Sequence, residues 1–277
     1  MPDIVKADGT VEPWDGRKLE YSLVCAGASE MTAARIRETI ESSIGPAEKS
    51  NEIYRRAFAM LRGEARTAAA RYSLRRAFFE LGPTGHPFED FVSEMLKTEG
   101  WDVQPRQLIP GKCVSHEVDV YAVKDGQYLA GELKYHNDPG YKTDIKVALY
   151  VKARMDDILQ CDPTIRSTCP VDQGYLITNT KFTSQAVDYA TCAGLNLLGW
   201  SYPHGNSLYD RIVRSGLYPV TALTQLRKSE KRLLIDKGIV TTSLVREHRD
   251  KLRELAIPLE RIGSIVAEIE TLSAEAR

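Results

Sequence analysis

The stretch "HEVDVYAVKDGQYLAGELKYH", residues 116–136, constrains the fold of this chain more than any other segment. Two alternating apolar runs flank Asp125-Gly126, a dipeptide suited to the two-residue turn of an antiparallel hairpin. Side chains alternate faces along a strand, so Glu132 and Lys134 share one side while Leu133 and Tyr135 take the other. A turn at Asp125-Gly126 also places Asp119 directly opposite Glu132, and Glu117 opposite Lys134. Like charges directly across a ladder destabilise it. Two facing carboxylates therefore need a reason beyond stability.

The surrounding pattern indicates what the hairpin belongs to. Phe88, Phe91, Val92, Met95 and Leu96 recur at helical spacing, and Gly100 ends the run. After the hairpin come a helix over about 143–160, the strand "GYLIT", a helix over "SQAVDYATCAG" and the strand "NLLGW". Strands alternating with helices predict an α/β fold, a sheet covered on its faces. Upstream, "DIVKA" and "TVEPW" predict a small hairpin around Asp8-Gly9, and Asp15 caps a helix running to Gly27. Helices are expected over about 32–44 and 50–81, and "ELGPTGHP" then marks a domain boundary. Beyond Pro219 the pattern is helical, with a short hairpin at "DKGIV" and an amphipathic helix from Pro258. The expected domains are 1–82, 85–220 and 221–277.

The net charge of −1 argues against a uniformly basic nucleic-acid coat, but residues 50–80 hold seven arginines against three glutamates. Such a face either binds phosphate or is simply solvated. No apolar run approaches the roughly 20 residues of a membrane span, and "MPDIVKADGT" has no apolar core of a signal peptide. Five cysteines, Cys25, Cys113, Cys161, Cys169 and Cys192, include no CxxC pair. They are read as reduced thiols of a cytoplasmic protein.

Oxygen ligands at the separation of opposed strand residues suit a hard cation such as Mg²⁺, which commonly takes one or two carboxylates plus water and phosphate. Lys134 beside them would meet a phosphate or orient a water, as metal-assisted phosphodiester cleavage requires. A third acid can come from the helix before the hairpin: Glu89 lies at the margin of its apolar face, while Asp90 and Glu94 point away. Its alternative is a solvated first-turn glutamate favoured by the helix dipole. His116 and His136 are expected to be structural or solvated rather than ligands. "PGKC", residues 110–113, lacks the first glycine and the Ser/Thr of a phosphate loop and is set aside.

"FEDFVSEMLKTEGW", "EVDVYAV", "AGELKYH" and the later "YLITNTKFTSQAVDYATCAGLNLLGW" resemble, in order, the motifs of the PD-(D/E)xK nucleases, specifically the Mrr-type branch of the restriction endonuclease-like fold. The resemblance spans about 85–220. It implies a mixed sheet flanked by helices, a Mg²⁺ (or Mn²⁺) site on Asp119, Glu132 and Glu89, and Lys134 as the catalytic lysine. Val118 stands where the motif has proline, and Glu132 where many Mrr-type enzymes carry glutamine. The opening "IVKADGTVEPWDGRKLEYSL", with the later "ARYSLRRAF", resembles the ATP-cone, a regulatory hairpin-plus-helices module. That resemblance implies a site for ATP or dATP in which Lys6 and Lys18 meet the phosphates, Glu12 the sugar or base, and backbone near Val5 lines the pocket. Tyr54 stands where many cones have histidine. "LTQLRKSEKRLLIDKGIVTTSLVREH" weakly resembles a helix-hairpin-helix, to which Lys228, Lys231 and Lys237 would add charge.

The resulting expectation is a cytoplasmic, Mg²⁺-dependent DNA endonuclease of restriction, defence or repair, regulated by a nucleoside triphosphate, with no membrane association; a homodimer and an RNA substrate stay open. The alternative is a nucleotide-responsive DNA-binding regulator that keeps the nuclease fold without catalysis.

Overall fold

The computed structural model describes residues 2–6, 9–162, 164 and 170–274. Its centre is the expected hairpin, β5 (Ser115–Lys124) and β6 (Gln127–Lys134), joined by Asp125 and Gly126 at φ +50° and +77°. Both turn residues are left-handed, as the tight type I′ turn demands. Pairing runs from Lys124↔Gln127 to Val120↔Gly131 in the anticipated register and stops there. The predicted pairs Asp119 with Glu132 and Glu117 with Lys134 lie beyond its end.

Around the hairpin, β4 (Asp102–Pro110), β8 (Gln173–Thr178) and β10 (Asn196–Leu198) complete a five-stranded sheet in the order β10-β8-β6-β5-β4. β4 and β5 pair antiparallel; β6, β8 and β10 run parallel. Strand β4 escapes the sequence pattern because Pro105 and Pro110 read as breakers. At a sheet edge a missing N–H is tolerated. Arg106 sits in β4 at φ +51°, between the pairs Pro105↔Val120 and Gln107↔Val118.

One sheet face carries Val120, Ala122, Leu129, Leu133 and Ile177 against Phe88, Phe91 and Met95 of α6 (His86–Thr98). The other carries Val118, Tyr121, Ala130 and Leu176 against α7 (Ile145–Leu159) and α8 (Ser184–Ala193). Val118 and Val120 belong to opposite faces, although period-two alternation would put them together. The strand therefore slips phase at Asp119.

The N-terminal unit opens with β1 (Asp3–Val5) and β2 (Val11–Pro13) in register Ile4↔Glu12; Asp8 of the anticipated turn lies outside the described residues. Asp15 caps α1 (Gly16–Cys25) by accepting from the Arg17 N–H at 3.0 Å. After α2 (Glu30–Glu41), a two-residue strand, β3 (Glu48–Lys49), adds parallel to β1, which the sequence reading did not foresee. The helix expected over 50–81 is three helices, α3 (Ser50–Glu64), α4 (Arg66–Tyr72) and α5 (Leu74–Phe79). The first break falls at Ala65, φ −143°, beside the helix-weakening Gly63.

The C-terminal helices span Lys228–Asp236, Thr242–Glu247, Arg249–Glu254 and Leu259–Ala274. "DKGIV" is a turn, not a hairpin: Gly238 takes φ +76°, and Val240 accepts from the Val220 N–H at 2.9 Å. Leu234, Ile265 and Leu272 join the cluster that holds Phe78, Phe88 and the α6 face of the sheet. Among the described residues no helix is long and apolar enough to cross a membrane.

Candidate functional site

The phase slip at Asp119 aims its carboxylate along the sheet rather than across it. Oδ2 accepts the Leu133 N–H at 2.6 Å, taking over the role of a backbone acceptor where the β5–β6 ladder ends. Gly131 leaves room for Val120 across the ladder, since a Cβ there would lie 2.7 Å from Val120 Cγ1.

Glu132 and Lys134 share a face as the alternation predicts, and Lys134 Nζ donates to Glu132 Oε1 at 2.6 Å. Glu132 is 4% exposed, so its charge needs partners. Two come from α7: the Tyr150 hydroxyl donates to Oε1 and Arg154 Nη1 to Oε2. Arg154 also reaches the Glu117 carbonyl at 3.0 Å, in the place expected for a Glu117–Lys134 pair. Both cations lie over the Tyr150 ring, 5.5 and 5.2 Å from its centroid. Tyr150 and Arg154 are one helical turn apart, and nothing in the sequence singled them out.

Glu89 faces the same region from α6. Arg106 Nη1 donates to it at 3.0 Å and His86 Nδ1 lies at 3.3 Å. Arg106 also binds Asp90 Oδ1 at 3.3 Å, so Asp90 does not point away as anticipated. Burial first, then repulsion from Glu132 and Glu89, pushes the Asp119 carboxyl up to about 6, against the opposing pull of the Leu133 N–H and Lys134. Burial is the largest influence and works against the Lys134 charge, but Glu132 and Tyr150 together raise it above the ordinary lysine value.

The structure thus brings Asp119, Glu132, Lys134 and Glu89 into one electrostatic neighbourhood. Among the described residues no three His, Cys, Asp or Glu side chains form a ready cation cage. Both Glu132 oxygens are held by protein donors, and Glu89 by Arg106. The donor chemistry nevertheless fits a hard divalent cation: all-oxygen carboxylates whose mutual repulsion shows in Asp119. Admitting one would require Arg154 and Arg106 to release their carboxylates.

The other singled-out residues separate clearly. His116 Nε2 lies 2.8 Å from Asp157 Oδ2, and Asp157 also accepts from Cys113 N at 2.9 Å, which pins the "PGKC" loop to α7. His136 stacks on Tyr141 at 3.9 Å and contacts Thr143 Oγ1 at 3.3 Å. Lys6 and Lys18 both pair with Glu12 Oε1, at 2.9 and 3.3 Å. Val5 pairs with Val11 and Lys49. Tyr54 stacks between Phe58 and Tyr72. Two of the three C-terminal lysines are engaged within the protein: Lys231 donates to the Thr221 carbonyl at 2.6 Å, and Lys237 pairs with Glu254 at 3.1 Å. Cys25, Cys113, Cys161 and Cys192 are free thiols, and Cys169 lies outside the described residues.

Residues 218–273 match the family model described as AF1548-like, C-terminal. An uncharacterized protein of Archaeoglobus fulgidus is 33% identical over 178 residues, 64% of this chain and 97% of that protein. The crystal structure of AF1548, a protein of unknown function, aligns at 30% identity with a TM-score of 0.54, covering 69% of this chain and 99% of the other. MspJI restriction endonuclease in complex with a 27-mer oligonucleotide aligns at 13% identity and a TM-score of 0.37, over 62% of this chain and 36% of that one, too slight for inference.

Proposed function

We propose, from the premise that this chain belongs to the AF1548-like family, that it is a metal-dependent DNA endonuclease whose N-terminal unit responds to ATP or dATP. The observation that carries the reading is Asp119. A slip in β5 turns its carboxylate onto the Leu133 N–H, into the repulsive field of Glu132 and Glu89, beside a charged Lys134. A fold gains no stability from that arrangement, whereas a site for phosphate chemistry needs it.

In this reading Asp119, Glu132 and Glu89 hold the cation, Mg²⁺ or Mn²⁺. The cation supplies charge for a phosphoryl oxygen and acidity for water. Lys134, donating from the same strand face, orients the attacking water and stabilises developing negative charge. Arg154 and Tyr150 hold Glu132 until substrate and cation arrive. Lys6, Lys18 and Glu12, with backbone at Val5, form the hairpin part of the nucleotide site.

A second reading, a nucleotide-responsive DNA-binding regulator with a non-catalytic nuclease fold, is favoured by one observation: Glu132 is neutralised on both oxygens by protein cations. Plasmid cleavage with Mg²⁺ or Mn²⁺ separates the two. The nuclease reading expects cleavage by the wild type, none by Asp119→Asn or Lys134→Ala, and DNA binding by Lys134→Ala within a few fold of wild type. Wild-type cleavage in Asp119→Asn would remove the assignment, and metal-independent binding without cleavage in any variant would favour the regulator.

A further inference from the structure

Lys142 and Lys181 are direct partners in a two-stranded parallel ribbon, β7 (Lys142–Thr143) with β9 (Lys181–Phe182). Two like charges stand opposed across the strands, which costs stability unless an anion joins them. Two further cations converge on the pair. Arg75 of α5 spends Nη2 on the Pro139 carbonyl at 2.8 Å, while its Nε is buried with no hydrogen-bond partner. Lys6 is near enough that its charge, with those of Arg75 and Lys142, helps lower Lys181 below the ordinary lysine value; partial desolvation is the larger cause. Among the described residues no carboxylate forms an ion pair with Lys142, Lys181 or Arg75, and Glu12 holds Lys6 at 2.9 Å.

The cluster opens on a cleft of about 790 Å³ between the N-terminal helices and the sheet unit, lined by Arg75 and Lys181 and by the aromatic walls of Tyr72, Trp200 and Tyr209. We propose that Lys142, Lys181, Arg75 and Lys6 together hold the polyphosphate of a nucleoside triphosphate at this junction, with its base and sugar in the adjoining cleft. The proposal rests on the nucleotide-responsive reading above and extends it: half of the site belongs to the sheet unit. Four cations gathered at one junction beside a cleft with aromatic walls suit a compact polyphosphate with a stacking base, whereas duplex DNA spreads its contacts along a backbone. Nucleotide binding would then bridge the two units.

The test is calorimetry on the full chain with ATP and no DNA. The probe variant is Lys142→Ala with Lys181→Ala, both exposed positions whose loss removes a repulsion, so a thermal melt should show it folded and no less stable. Losing a charge-assisted phosphate contact weakens binding by roughly tenfold or more. The double variant should therefore bind ATP at least tenfold more weakly than the wild type, while its weaker affinity for AMP changes little. If the double variant binds ATP as the wild type does while Lys6→Ala with Lys18→Ala has lost it, the nucleotide is confined to the hairpin and this extension fails alone. If the wild type binds neither ATP nor dATP at millimolar concentration, the regulatory reading itself fails. If a short duplex, with no metal present, binds through Lys142 and Lys181 and ATP does not compete, the ribbon is a DNA contact and the proposal is overturned.

Discussion

Asp119 and Glu132 bear the same charge in the same neighbourhood, yet the protein holds them by opposite means. Asp119 has one backbone donor and two repulsive carboxylates; Glu132 is gripped by Lys134, Tyr150 and Arg154. Their conservative amides should diverge. Asp119→Asn keeps an acceptor for the Leu133 N–H and removes repulsion, so urea unfolding at neutral pH should find it as stable as the wild type or more so. Glu132→Gln strips the counter-charge from two half-exposed cations, a loss of about 1–3 kcal/mol. Equal destabilisation of the two would contradict this account of the site. Arg154 competes with any cation for Glu132, so Arg154→Met should tighten Mn²⁺ binding by roughly five- to tenfold, equivalent to about 1 kcal/mol, as titration calorimetry would read. That Glu132 and Lys134 share a face was legible in the sequence because period-two alternation is a local rule; the turn of Asp119 onto the Leu133 N–H was not, because the alternation breaks there. Tyr150 and Arg154 were not, because which strand residue a helix side chain meets depends on how the helix docks.

At the scale of elements, strands with a clean period were readable and those without one were not. The hairpin β5–β6 follows from its turn, and α6 from its apolar stripe. Strand β4 hid behind two prolines, and β3, β7 and β9 have two residues each, too few to show any period. The opposed Lys142–Lys181 pair could only be seen once the ribbon was. One element junction makes a pH-dependent claim. His116 first, then the Cys113 side chain and the Cys113 and Val114 N–H groups, hold the Asp157 carboxyl well below the usual carboxylate range. A carboxyl lowered in the folded state contributes stability that is present above its unfolded pKa, about 3.9, and is lost as pH falls through the folded value. The stability gap between wild type and Asp157→Asn should be present at about pH 5 and should close at more acid pH, as the carboxyl is protonated. Urea titrations at several pH values check this, and a gap that keeps widening below about pH 4 would show that the loop is held some other way.

Across the whole molecule, the family-matched segment 218–273 is part of the architecture rather than an appendage. Tyr218 is fully buried and accepts from Arg71 Nε at 3.0 Å, Thr221 Oγ1 donates to the Ala77 carbonyl at 2.7 Å, and Leu272 lies in the cluster that covers Phe78 and Phe88. Truncation after residue 217 should therefore expose the α6 face and abolish cooperative unfolding, seen as loss of a sharp calorimetric transition. The same closeness of parts bears on regulation. Lys134 pairs in register with Thr178, and the buried run Thr178, Asn179 and Thr180 leads directly to Lys181. Asn179 clamps His136 from both sides, accepting its N–H at 2.9 Å and donating to its carbonyl at 2.8 Å. The candidate catalytic lysine at the end of β6 and the proposed phosphate platform are thus joined through the buried end of the neighbouring strand β8 and Asn179. A triphosphate that draws the N-terminal unit onto the ribbon then biases the end of β6, with a coupling of about 1–3 kcal/mol, or roughly 5- to 150-fold in DNA affinity. Linkage requires DNA to change ATP affinity by the same factor. Anisotropy titrations of a catalytically silent Asp119→Asn chain, with DNA at zero and saturating ATP and with labelled ATP at zero and saturating DNA, should return matching factors. Factors of one in both directions would leave the nucleotide bound but silent, and the regulatory half of the proposal would fall.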